Sequence, residues 1–122
     1  MYEYIAHVRS EYDGDTIRAD IDLGFGIWTA NQSLRLYGID APELGAAGGK
    51  EARDYLRNML PIGQTITIRT RKDADDKYGR LLATLWDNDH GDVWGDSVND
   101  RLLSAGFAVP YFGGKRGTPE LG

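Results

Sequence analysis

Asp13-Gly14-Asp15-Thr16-Ile17-Arg18-Ala19-Asp20-Ile21-Asp22-Leu23 is the stretch on which the fold turns. Asp-Gly is a strong tight-turn signal between extended segments. After it, Ile17, Ala19, Ile21 and Leu23 alternate with polar residues, which places them on one face of a strand. Upstream, Tyr2–Val8 is short, aromatic and partly alternating. The two runs therefore predict a β-hairpin closed by the Asp13–Thr16 turn.

Working outward, Leu34-Arg35-Leu36-Tyr37 reads as a third strand stopped by Gly38. Gly49–Leu60 places Ala52, Tyr55, Leu56, Met59 and Leu60 on one helical face, and Pro61 with Gly63 ends that helix. Gln64–Arg71 alternates as a fourth strand. Leu81–Trp86 is a fifth, expected to pair with Val93-Trp94 across the polar turn Asp87–Asp92. Ser97 is placed to cap a second helix, Val98–Ala105, which Gly106 closes. Three strands, a helix, two strands and a helix define an α+β, mainly β class. A five-stranded oligonucleotide-binding (OB) barrel with two packed helices is the architecture expected. Residues 1–112 make its single domain, and the Gly/Pro-rich segment 113–122 is expected to be a flexible tail.

Composition narrows the chemistry. The chain has 122 residues and no cysteine, so disulfides, zinc–thiolate sites and cysteine nucleophiles are excluded. His7 and His90 are too few for a histidine-rich metal centre. No run is long and apolar enough for a transmembrane helix, and the first residues lack the pattern of a signal peptide. A cytoplasmic chain without membrane attachment is the expectation. Net charge is −5, at first sight unlike a nucleic-acid binder. Residues 1–48 hold eight acids and three bases, whereas residues 49–122 hold eleven of each. The imbalance thus lies in the segment that carries the turn. Four of those eight acids, Asp13, Asp15, Asp40 and Glu43, fall in two short motifs.

Three segments carry candidate chemistry. In Asp13-Gly14-Asp15-Thr16, Asp15 offers a hard oxygen ligand to a divalent cation; a plain hairpin turn is the competing reading. In Arg35–Glu43, Arg35 faces away from Leu34 and Leu36, while Asp40 and Glu43 crowd a proline turn. A strand end with a polar turn would look the same. In Asp76-Lys77-Tyr78-Gly79-Arg80, the arginine precedes a buried strand, where it is either solvated or forked onto a phosphate. Together the segments supply carboxylates for a cation, a glutamate for a water and two arginines for phosphate charge, which are the parts phosphodiester cleavage requires. Oxygen donors without Cys or His favour Ca²⁺ or Mg²⁺ over zinc.

These segments, followed by Val98-Asn99 and Leu102–Ala108, resemble the staphylococcal-nuclease-like (thermonuclease) family, in order over residues 4–109. The resemblance implies an OB barrel and a Ca²⁺-dependent endonuclease hydrolysing DNA and RNA, single strands preferred, to 3′-phosphate ends. It implies Asp15 and Asp40 as carboxylate ligands of one cation, with Ala41 ligating through its main-chain carbonyl where the best-known members have threonine. Glu43 matches the general base or water-orienting carboxylate, and Arg35 and Arg80 the transition-state arginines. Asp13 matches an acid near the metal. Lys77 and Tyr78 match residues that contact a terminal phosphate, and Tyr111 is the candidate base-contacting aromatic. The competing function is a non-catalytic OB module binding single-stranded nucleic acid or a protein, with Tyr2, Tyr4, Tyr12, Tyr37, Tyr78 and Tyr111 as its stacking surface, unless most of them pack the barrel ends.

Two smaller expectations concern segments beside these motifs. Phe25, Ile27 and Trp28 would either cap the barrel or form an exposed patch through which an otherwise monomeric chain self-associates. Gly45, Gly48 and Gly49, directly after Glu43, predict a mobile loop at the mouth of the site.

Overall fold

The computed structural model describes residues 2–72, 81–87 and 96–111. The hairpin expected at Asp13–Thr16 is formed by β1 (Tyr2–Asp13) and β2 (Thr16–Asp22), paired antiparallel. β3 (Trp28–Leu36), the short β4 (Ile39–Asp40), α1 (Gly49–Met59), β5 (Thr65–Lys72), β6 (Leu81–Trp86), α2 (Val98–Ser104) and β7 (Val109–Pro110) follow. Five strands close into a barrel in the order β1-β2-β3-β6-β5, and β4 pairs with β7 apart from it. A parallel β3–β6 contact and the antiparallel β1–β5 contact complete the circuit. The α+β barrel with two helices is therefore the fold.

The core follows from alternation. Ile17, Ala19 and Ile21 of β2, Leu34 and Leu36 of β3, Ile66 and Ile68 of β5 and Ala83 and Leu85 of β6 all point inward. Ala52 and Leu56 of α1, Leu60 at its C-cap, and Val98 and Leu102 of α2 join the same buried cluster. Each fully buried Leu or Ile adds roughly 1.5–3 kcal/mol of transfer free energy. Ser97 caps α2 by accepting from the Asp100 N–H at 3.0 Å. Asn99 is buried yet fully paired. Its Nδ2 donates to the Tyr37 and Ala83 carbonyls at 2.9 and 3.1 Å, and its Oδ1 accepts from the Leu85 N–H at 3.1 Å. One side chain thus ties α2 to β6 and to the end of β3.

Several boundaries differ from the sequence reading, each for a physical reason. β1 runs on past Val8 because a bulge between Val8 and Ser10 shifts its facing. Ala6 and Val8 point inward before it, and Glu11 and Asp13 after it, so simple alternation breaks where the strand does not. β3 begins at Trp28, six residues before its first fully buried leucine, because its first half is held to β2 by main-chain pairing rather than by apolar burial. Leu23 does not share the inward face of β2; it is exposed beyond the strand end. Phe25, Ile27 and Trp28 do not cap the barrel. Phe25 is fully exposed, Ile27 and Trp28 are exposed as well, and Trp28 meets His7 in a tilted ring contact, centroids 4.7 Å apart. The expected Val93-Trp94 strand and the tail 113–122 lie outside the described residues. At the edge of that gap, Asp87 accepts from both guanidinium nitrogens of Arg101 at 2.7 and 3.1 Å, which holds its carboxyl below the usual range.

Glu11 is the costly residue of this core. Its side chain is fully buried, neither carboxylate oxygen has a hydrogen bond, and the nearest cation, Arg57 Nε, is 3.9 Å away and half exposed. Burial raises its pKa above 4.5, and the attraction of Arg57 only partly offsets this. Native Glu11 keeps its proton where the unfolded chain has lost it. Stability therefore falls as pH rises from 4.5 through the native pKa and is level above it. Glu11→Met is expected to stabilise the chain by about 1 kcal/mol or more at pH 7, a Tm rise of about 4 °C. The gain should shrink towards zero below about pH 4, where both states are protonated. Thermal melts across this range check both the sign and the window.

Candidate active site

The Asp13–Thr16 turn is stitched into place from three sides. The Asp15 N–H donates to Asp13 Oδ1 at 3.2 Å, and Thr16 Oγ1 donates to Asp15 Oδ1 at 3.1 Å. The Ala41 N–H donates to Asp15 Oδ2 at 2.9 Å, and the Leu36 N–H to the Asp15 carbonyl at 2.8 Å. Gly14 permits this close seating. A Cβ there would stand 2.7 Å from Ala52 Cβ and 2.8 Å from Ala41 Cβ, so helix α1, the turn and the start of the loop after β4 meet through small residues. The same contact favours alanine over a larger residue at position 41. Asp13 is buried beside Asp15, and its carboxyl is pushed up to about 7, first by burial and then by the neighbouring carboxylate.

Arg35 joins the two motifs. It is paired across the β2–β3 ladder with Thr16, next to Asp15, and it points away from the buried Leu34 and Leu36 as its position in the strand dictates. Its guanidinium lies 3.7 Å from Asp15 Oδ2 and 3.4 Å from Asp40 Oδ1, and it donates to the Ile39 carbonyl at 3.4 Å. Asp15 and Asp40, 25 positions apart, thus converge on one positive group. Asp40 is held there by β4, which pairs with β7 through Asp40↔Val109. The same ladder returns Tyr111 to the site. Its N–H donates to the Gly38 carbonyl at 2.9 Å, and Arg35 Cζ sits 5.4 Å from its ring centroid. β4 and β7 are two residues each, too short for any periodic signal in the sequence.

Glu43 follows on an exposed loop, and among the described residues its side chain has no hydrogen bond or ion pair. The loop is wound in successive turns, with the Ala46 N–H bonded to the Glu43 carbonyl and the Gly49 N–H to the Ala46 carbonyl. Gly49 is buried at the start of α1. A Cβ there would overlap the Glu43 carbonyl oxygen and stand 2.6 Å from its carbonyl carbon. Only glycine lets the helix lie this close beneath Glu43. Gly49→Ala is expected to cost about 2–3 kcal/mol of stability, because the Glu43 main chain must shift to admit the Cβ. Melting curves check it, and an unchanged Tm would show the close approach to be dispensable.

Lys77, Tyr78 and Arg80 lie outside the described residues. Of the other site residues expected from the sequence, Asp13, Asp15, Arg35, Asp40, Ala41 and Tyr111 meet in one region, with Glu43 three residues beyond Asp40. The sequence marks Gly14 as a turn residue and Ala52 as part of the apolar face of α1, but not that the two meet to seat the turn. Nothing in their composition signals a contact between a hairpin and a helix. Among the described residues no three His, Asp or Glu side chains form a metal-holding cluster by themselves. Any cation here would rely on the two converging aspartates and main-chain oxygen. That donor set is hard and oxygen-only, and its two negative charges already face a single cationic group, so it fits Ca²⁺ or Mg²⁺.

This barrel and site define a class, and comparison with known proteins gives it a name. The family described as staphylococcal nuclease homologue matches residues 33–120, and the chain belongs to that family. The chain is 31% identical over 121 residues to Endonuclease YhcR of Bacillus subtilis, covering 90% of this chain and 9% of that protein. It is 32% identical over 106 residues to the Thermonuclease of Staphylococcus hyicus, covering 82% of this chain and 55% of that one. It is 34% identical over 113 residues to Protein ParB of Escherichia coli, covering 89% and 59% respectively. The chain thus spans less than two thirds of the length of each of these relatives.

Proposed function

We propose that this chain is a calcium-dependent nuclease that hydrolyses phosphodiester bonds of DNA and RNA, preferring single strands and leaving 3′-phosphate ends. The observation that carries the reading is the convergence of Asp15 and Asp40 on Arg35, with an exposed Glu43 three residues beyond Asp40 that has no ion pair among the described residues. The carboxylates of Asp15 and Asp40 and the carbonyl of Ala41 would hold one Ca²⁺. When bound, the ion supplies positive charge against the phosphoryl oxygens. Membership of the nuclease family and the relatives named Endonuclease and Thermonuclease support the same reaction class.

In this mechanism Glu43 orients the attacking water and takes its proton; as the water oxygen bonds to phosphorus the P–O5′ bond breaks, and the leaving 5′-oxygen takes a proton from solvent. Arg35 donates to a phosphoryl oxygen, where negative charge grows as phosphorus becomes five-coordinate. Arg80 supplies the second guanidinium, Lys77 and Tyr78 take a terminal phosphate and Tyr111 contacts a base, on the strength of the family resemblance. Arg35 sits between the two aspartates and is thereby held ready without a substrate, which lowers the cost of ordering its side chain during reaction. Asp13 stands behind Asp15 and fixes it through the turn.

The test is hydrolysis of labelled single-stranded DNA and RNA with Ca²⁺, then with chelator. Turnover with calcium that ceases on chelation is the expected outcome. Tight binding without turnover in any divalent metal would replace this reading with the non-catalytic binding module.

A further inference from the structure

Arg71 lies on the outer face of β5, because its neighbours Ile68 and Thr70 are buried. Its cross-strand partner on β6 is Leu82, and the partner of Leu82 on β3 is Arg35. Arg35, Leu82 and Arg71 therefore form one row across three adjacent strands, with two interstrand steps, about 9.6 Å, between the two arginine backbones. Beside this row stands Tyr37, whose N–H donates to the Ala83 carbonyl at 2.8 Å. The Arg71 guanidinium reaches across β6 and lies over the Tyr37 ring, 4.2 Å from its centroid.

Arg71 differs from the other described arginines. Arg9, Arg53, Arg69 and Arg101 each face a carboxylate, and Arg18 donates to a carbonyl. Arg71 is exposed and, among the described residues, has only the Tyr37 ring. In a chain of net charge −5, this exposed guanidinium beside the candidate site has no charge to neutralise within the described fold. Stacking leaves its planar donor fork open on the rim and restricts its rotamers in advance, so a bound anion costs less ordering.

We propose that Arg71, held on Tyr37, is a phosphate subsite for the nucleic-acid strand flanking the scissile phosphate. The inference rests on the nuclease reading and extends it. The strand crosses β3, β6 and β5 along the row from Arg35, and Arg71 forks onto a phosphate away from the cleaved bond. Such a contact is independent of base sequence. It adds affinity for longer strands and a salt dependence, while contributing nothing to a substrate too short to reach it.

The experiment is fluorescence anisotropy with calcium present, using the full chain carrying Glu43→Gln and a labelled single-stranded octanucleotide or dinucleotide. Adding Arg71→Gln is expected to weaken octanucleotide binding about tenfold. The slope of log K against log salt should shrink by about 0.7, one phosphate contact's worth. Dinucleotide affinity should fall less than twofold. Arg71→Lys should keep the salt slope, because it keeps the charge, and Tyr37→Leu should weaken the octanucleotide severalfold. Unchanged octanucleotide affinity and slope in Arg71→Gln would overturn the subsite. Equal losses for both lengths would also overturn it, since they would mean a disturbance passed through the barrel. If the Glu43-containing chain cleaves nothing while octanucleotide binding still depends on Arg71, the nuclease reading fails and the phosphate subsite stands.

Discussion

Arg35→Ala is expected to lower kcat on single-stranded DNA by about 10²–10³-fold, the loss of one charged transition-state donor. The variant also separates this role from a structural one. Arg35 lies 3.7 and 3.4 Å from the carboxylates of Asp15 and Asp40, so it repels a cation that would share them. Removing it should therefore tighten calcium binding even as turnover falls. Calorimetric titration with calcium alone reads the first effect, and single-turnover rates at saturating calcium read the second. Weaker calcium binding in Arg35→Ala would mean that the arginine organises the ligands instead, and the proposed division of labour would be wrong.

Glu43→Gln is expected to cost about 10²–10⁴-fold in kcat, the usual range for a positioned general base. The structure makes this variant clean. Glu43 is exposed and has no hydrogen bond or ion pair among the described residues, so its loss should change stability by no more than about 0.5 kcal/mol. An unchanged Tm with a large fall in kcat is the expected pair of results. Substantial unfolding would assign Glu43 to the loop instead, and unchanged kcat would remove it from the reaction.

Much of the barrel is legible in the sequence. Leu81–Trp86 is a strand with those boundaries, and the helices at Gly49–Met59 and Val98–Ser104 lie within a residue of the sequence reading. These elements carry dense apolar periodicity and clear stops. The misread elements lack both. The bulge after Val8 hid the second half of β1, polar residues hid the first half of β3, and β4 and β7 have no pattern to read. The acid-rich motifs were visible as candidate chemistry because carboxylates beside turns and an arginine between leucines are locally unusual. Their meeting was not visible, since it depends on the β2–β3 register and on a two-residue ladder made near the end of the described chain.

Charge shows the same division. Composition placed the acidic excess in residues 1–48, but only packing distinguished its members. Asp20 pairs with Arg9 near the surface, Asp15 and Asp40 face Arg35, and Glu11 is buried without a hydrogen bond. Arg71 likewise was one base among several until the β5–β6–β3 register set it in line with Arg35 and laid it on Tyr37. Periodicity, turn chemistry and residue type act over a few neighbours, so the elements and the kinds of group available are properties of the chain itself. Which groups share a dielectric, a partner or a direction depends on strand register and on close contacts such as those of Gly14 and Gly49, and these exist only once distant segments have packed.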